Sequence, residues 1–289
     1  MKKNVQEVMS PPPTHMVGDG FRVHNYIPGL VSMPRMNPFI MMDYNSPHYF
    51  PPSDTPPGVG VHPHRGFETV TIAYQGKVSH HDSAGNSGTI EEGEVQWMTA
   101  ASGVLHKEYH EKEFAKKGGI FQMVQLWVNL PAKDKMSPPR YQALTRKDIQ
   151  IVPLENEQGK VEIIAGEFRG VKGPAKTFSP VTLMNAFLKK EGKIELNFPQ
   201  HDHTALVIIS GQVKINDKEI ASANQLVIFH DDGTDFSIEA LEESVVLVLN
   251  GEPIPEPIAA YGPFVMNTRE EIIQAYQDFQ LGKFGHLAD

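Results

Sequence analysis

Four side chains in two short stretches could together hold a metal ion. His62-Pro63-His64-Arg65-Gly66-Phe67-Glu68 carries two histidines one residue apart, and His106-Lys107-Glu108 carries a histidine and a glutamate at the same spacing. Strand side chains alternate between two faces, so positions i and i+2 share a face. His62 and His64 then converge on one side of their strand, and His106 and Glu108 on one side of theirs. If both strands line one barrel interior, three imidazoles and a carboxylate meet around a single point. Neutral imidazole suits iron, nickel, copper and zinc alike, and one carboxylate hardens the set toward Fe(II), Mn(II) or Ni(II). A lone His-X-His would be weak ground for a metal; the second pair on a separate strand is what strengthens it.

Counting on by twos from His62 gives His64, Gly66, Glu68, Val70, Ile72 and Tyr74, which puts Glu68 on the ligand face. There it would serve as a base or orient a ligand histidine, or else form a structural salt bridge. His80 and His81 precede the turn formers Asp82-Ser83-Ala84-Gly85-Asn86 and read as exposed, as does His110 toward its loop. In the second half, His201-Asp202-His203 has inward parity. When the two halves are aligned on Gly76 and Gly211, however, His203 takes the place of Glu68, and no His-X-Glu follows. No metal is expected there.

The elements that must carry these residues are short strands. The 24 glycines and 23 prolines often fall between β-branched runs, the punctuation of an all-β protein. Phe21-Arg22-Val23, Val95–Thr99 and Ile120–Leu130 read as strands of a first set. A shift to Lys, Asp and Pro around Ala132–Tyr141 marks a boundary, giving domains 1–140 and 141–289. The second set includes Val161–Phe168, Val181–Leu188, Ala205–Ile209 and Val245–Leu249, so a duplicated barrel is expected. Only the end looks helical, at about 268–282. Thr268 and Glu271 form a capping box, Ile272, Tyr276 and Phe279 recur on one face, and Gly282 stands where a C-terminal cap belongs. This helix is read as a packing element over a barrel.

Composition narrows the rest. At 289 residues the chain exceeds one ordinary domain, and 40% hydrophobic residues suffice for packed cores. A formal charge of −9 argues against direct nucleic-acid binding while permitting a protein partner. Zero cysteines exclude disulfides and thiolate chemistry. Two lysines near the start have no apolar run behind them, and no stretch has the ~20 apolar residues of a membrane span. A cytoplasmic location follows as the default expectation.

The residues also carry a resemblance. His62-Pro63-His64-Arg65-Gly66-Phe67-Glu68-Thr69-Val70-Thr71 resembles the opening motif of the pirin family, a branch of the cupin superfamily. Val95-Gln96-Trp97-Met98-Thr99-Ala100, Gln125-Leu126-Trp127-Val128-Asn129-Leu130-Pro131 and Gly262-Pro263-Phe264-Val265-Met266-Asn267-Thr268 are similar to pirin as well, in the right order from about Arg22 to Gly285. The resemblance implies two tandem cupin (jelly-roll) β-barrels, with the metal in the N-terminal one held by His62, His64, His106 and Glu108. Lys107 replaces the usual small residue between the last pair, at an outward-facing position. Some pirins are similar to quercetin 2,3-dioxygenases, which cleave a flavonol with O2 and release carbon monoxide; others are iron-dependent transcriptional coregulators.

The implied activity is a metal-dependent dioxygenase acting on a flavonol-like enolic substrate. The cofactor is one divalent ion, Fe(II) first, ahead of Ni, Mn, Cu, Co or Zn. Four ligands on an octahedral ion leave two open positions. One carboxylate leaves a net +1 that favours an ionised hydroxy-ketone. The rival expectation is an iron-binding regulator, a coregulator or redox sensor without turnover, whose metal state alters affinity for a protein partner.

Overall fold

The computed structural model describes residues 1–288. Each of two compact units is built from a seven-stranded and a four-stranded antiparallel sheet. The unit that carries the histidines comprises Pro13–Pro34, Phe39–Arg146 and the chain from Ile254 on. Its larger sheet runs Arg140–Leu144, Val95–Thr99, Phe67–Gln75, Gly119–Asn129, Phe39–Phe50, Phe21–Ile27 and His15–Val17. Its smaller sheet runs Gly58–His64, Val104–His110, Val78–Asp82 and Ser87–Ile90. This is the all-β, double-cupin architecture expected.

The second unit repeats the pattern over Lys147–Pro253, joined by Met1–Pro12 and Arg35–Pro38. Its sheets close on a core of buried apolar residues, among them Val161, Ile163, Met184, Leu206, Ile208 and Val248. Inward residues of the strands alternate with outward ones, as the period of two requires.

The domain limits differ from the sequence expectation of 1–140 and 141–289. The strand Val5–Met9 pairs antiparallel with Leu226–Phe229, and Val5 and Val8 pack on the second unit's core, so the N-terminus belongs there. The strand Arg140–Leu144 stays with the first unit because it pairs with Val95–Thr99. The chain end also belongs to the first unit, not the second. Such exchanges are invisible to composition, because they depend on which strands pair, whether Arg140 with Thr99 or, much farther along the chain, Val5 with Phe229.

The terminal helix spans Arg269–Gln280, with Thr268 as its N-cap and a complete capping box with Glu271. Its buried face is Ile272, Ala275 and Asp278; Phe279, expected inward, is half-exposed. The face is turned because Asp278 is drawn onto Arg65 at 2.8 Å, with side-chain exposures of only 9% and 5%. Phe264, Met266, Ile272, Ala275 and Phe284 form a small core beneath the helix.

Candidate metal centre

The strand Val104–His110 is the spine of the site. Its burial alternates strictly, with Val104, His106, Glu108 and His110 buried and the residues between them partly exposed. On one side it pairs with Gly58–His64, setting His106 opposite His62 and Val104 opposite His64. A bulge follows, so that Glu108 pairs with Val59. On its other side it pairs with Val78–Asp82, setting His106 opposite Asp82 and Glu108 opposite His80. Facing residues in a ladder share a side, so His62, His64, His80, Asp82, His106 and Glu108 all turn inward.

The three expected histidines meet. Ring centroids of His62 and His106 are 4.2 Å apart, those of His64 and His106 4.7 Å, and those of His62 and His64 4.8 Å. One nitrogen from each lies within 4.8 Å of the others. Glu108 falls into an overlapping group with His80 and His106 at the same limit, and it lines one cavity with His62 and His64. The Glu108 Oε1 accepts from Thr71 Oγ1 at 3.2 Å and Gln96 Nε2 at 3.3 Å. Its Oε2 is not used by either bond.

Hydrogen bonds fix which ring nitrogens are free. The His62 Nδ1 donates to the Gly60 carbonyl at 2.8 Å and His64 Nδ1 to the Pro263 carbonyl at 3.4 Å, which leaves both Nε2 atoms as lone-pair donors to a metal. The His106 Nε2 is fully buried with no hydrogen-bond partner. A buried imidazole nitrogen without a partner is rare, and a metal ligand is one of its natural explanations. Burial, with His62 beside them, pushes His64 and His106 well below the usual histidine pKa, so both are neutral and ready to bind a cation. The residues present therefore fit one metal ion.

His80, expected at the surface, is fully buried. Its Nδ1 lies 3.4 Å from His106 Nδ1 and its Nε2 3.3 Å from Asp82 Oδ2, while its ring stacks on Tyr141 at 5.2 Å. The turn formers Asp82–Gly88 suggested a solvent-facing end. What the sequence did offer was parity: His80 and Asp82 repeat the i, i+2 pattern of the other two pairs. His110 is likewise buried, stacked on Phe121 at 4.4 Å and bonded through Nε2 to the Gly20 carbonyl at 2.7 Å. His81 is partly exposed beside Tyr109.

Glu68 does not join the cluster. The chain leaves the smaller sheet at His64 and enters the larger at Phe67, turning at Arg65–Gly66. Gly66 has φ +92°, and a Cβ there would overlap the Val265 carbonyl oxygen, so only glycine makes this corner. Counting by twos fails across it. Thr69 and Thr71 pair with Trp127 and Gln125, which line the cavity, whereas Glu68 pairs with Val128 and Thr99 on the opposite face. Its carboxylate accepts from Thr99 Oγ1 at 2.6 Å and lies 3.8 Å from Arg140. Burial pushes its pKa up to about 7, only partly offset by Thr99 and Arg140.

The cavity beside the histidines holds about 330 Å³. Phe21, Val23, Met41, Met123 and Trp127 supply most of its apolar wall. A larger hollow of about 520 Å³ in the other unit, near Leu154 and Phe187, has none of the histidine groups. In that unit His203 bonds through Nδ1 to the Asn37 carbonyl at 2.7 Å and sits 3.9 Å from Asp231, while His201 is exposed.

Two antiparallel β-barrels of cupin type, one with inward histidines on paired strands, define a double-cupin protein. The chain belongs to the pirin family: residues 20–128 match the Pirin model and 183–285 the Pirin C-terminal cupin domain. A Pseudomonas aeruginosa protein that carries the provisional name quercetin 2,3-dioxygenase is 48% identical over 270 residues, 93% of this chain and 94% of its own. A pirin-like protein of Solanum lycopersicum is 38% identical over 93% of this chain and 88% of its own. A crystal structure of quercetin 2,3-dioxygenase from Acinetobacter baumannii superposes with TM-score 0.95 at 46% identity, covering 100% of both chains. A bacterial pirin from Escherichia coli solved with nickel(II) shares the fold at TM-score 0.66 and 18% identity, over 86% of this chain and 100% of that one. No helix among the described residues is long and apolar enough to cross a membrane.

Proposed function

We propose that the protein is a metal-dependent dioxygenase of quercetinase type, acting on a flavonol-like hydroxy-ketone with O2. One divalent ion, with Fe(II) the expected metal, is held by the Nε2 atoms of His62, His64 and His106 and by the Glu108 carboxylate. The observation that carries this reading is the buried, partnerless His106 Nε2 at the meeting point of three imidazoles. When bound, the metal would supply Lewis-acid and one-electron chemistry toward an enolic substrate and O2. His62 and His64 keep their free nitrogens on the site because backbone carbonyls hold the other two. Trp127, 5.1 Å from His64, and Phe21 give a planar aromatic substrate its apolar surface and keep bulk water out. The relatives named for quercetin dioxygenation and the nickel-bound pirin agree with the proposal.

Loading with Fe(II) without oxygen, followed by quercetin and measured O2, tests it. Oxygen uptake with release of carbon monoxide is the expected result. Stoichiometric metal with no oxygen consumed across several flavonols would overturn it.

A further inference from the structure

The strand Phe39–Phe50 sends Met41, Asp43 and Asn45 into the cavity that His62, His64 and Glu108 also line. Alternation turns Met42 and Tyr44 the other way, where the Tyr44 hydroxyl accepts from Gln122 Nε2 at 2.7 Å. Asn45 is 2% exposed, and neither its Oδ1 nor its Nδ2 has a hydrogen-bond partner. Native folds rarely bury an amide with both ends unmade, and an exception in a cavity wall calls for a ligand. Asp43, two residues along on the same face, uses Oδ1 to accept from Asn25 Nδ2 at 2.7 Å. Its second oxygen has no such bond.

We propose that Asn45 and Asp43 are the hydroxyl-reading residues of the substrate cavity, selecting a polyhydroxylated aromatic over the bare ring system. The Asn45 Nδ2 donates to a ring-hydroxyl oxygen, its Oδ1 accepts from a hydroxyl, and the Asp43 carboxyl accepts from a second hydroxyl. The chelating end of the ligand stays at the histidines. This rests on the dioxygenase reading for its ligand class but not on turnover, because the contacts are made in the ground-state complex. Phe21, Val23 and Met123 offer a flat ring no hydrogen-bonding side chain. Gln125 and the Trp127 N–H are further polar groups of this wall, but Asn45 is the lining residue with both amide atoms unmade, which is why the discrimination is assigned to it and its neighbour Asp43.

The test is equilibrium dialysis without oxygen, using metal-loaded protein with quercetin and with 3-hydroxyflavone, which keeps the chelating group and lacks the other hydroxyls. The wild type is expected to prefer quercetin by about tenfold, the worth of one or two hydrogen bonds. Asn45→Leu, of similar size, is expected to lose most of that preference by weakening quercetin alone. Its metal content should stay unchanged and its melting temperature should not fall, since a buried unmade amide has been removed. Should that variant fold poorly, Asn45→Asp, which keeps the shape but only accepts, is read in the same way. An unchanged preference in the variant, or no preference or binding in the wild type, overturns the proposal. Preference without oxygen uptake would remove the dioxygenase reading and leave this one standing; turnover with an unchanged preference in the variant would do the reverse.

Discussion

His80 and His106 face each other through their Nδ1 atoms, 3.4 Å apart. Only one of the two can carry a proton on that side. Asp82 decides which. It accepts from His80 Nε2 at 3.3 Å, so His80 Nδ1 is the acceptor and His106 Nδ1 the donor, which leaves the His106 Nε2 lone pair free for the proposed metal. Burial works against the Asp82 charge, but hydrogen bonds from His80 and Asn86 hold its carboxyl below the ordinary carboxylate range. The carboxylate–histidine–histidine chain thus orients the proposed ligand His106 from behind.

Replacing His80 by Phe keeps the ring stacked on Tyr141 and removes the acceptor for His106. Metal affinity, measured by competition with a chelator, should fall on the order of 10–100-fold. Unchanged affinity would mean that His106 holds its tautomer unaided.

His106→Ala should abolish stoichiometric metal binding. In the wild type, metal at a hundred times its dissociation constant is expected to add about 2.7 kcal/mol of stability. The variant's melting temperature should not respond to metal at all, and a wild-type-sized rise in it would place the ion elsewhere.

Glu68→Gln should leave metal content untouched, because that side chain lies on the far face of its strand. Its effect belongs to pH. A carboxyl whose folded pKa is raised to about 7 binds more protons in the native state than in the unfolded one between its ordinary value and 7. Stability from this group is therefore present at low pH and lost as pH rises across that window, by on the order of 2–3 kcal/mol. Urea unfolding at pH 5 and pH 8 should show the variant gaining on the wild type at the higher pH. A constant difference between the two would refute this account of Glu68.

Asp278→Ala strands the Arg65 guanidinium inside the first unit. Removing one partner of a buried pair typically costs about 3–5 kcal/mol, and denaturant titration should find a loss of that order. Lys283 and Arg65 hold the Asp278 carboxyl below its usual value, so its contribution is present at neutral pH and disappears as acid protonates it. A loss within 0.5 kcal/mol would show the pair to be solvated.

Strand alternation alone brought His62 next to His64 and His106 next to Glu108, and the turn residues and cap at Thr268 were legible because each is a local preference of the backbone. The two-barrel plan was readable for the same reason, from repeated short strands. Local rules stop where the chain changes sheets: at Arg65–Gly66 the period of two restarts, which sent Glu68 to the far face while sequence parity kept it near the histidines. His80 and Asp82 needed the pairing of Val78–Asp82 with Val104–His110 before they could be seen behind His106. Asn45 needed the wall of a cavity to stand out. The N-terminal strand's place in the second barrel came from ladder partners more than two hundred residues distant. Sequence specifies which side of a strand a residue takes; which strands then share an interior depends on long-range pairing and burial, and only the folded chain decides that.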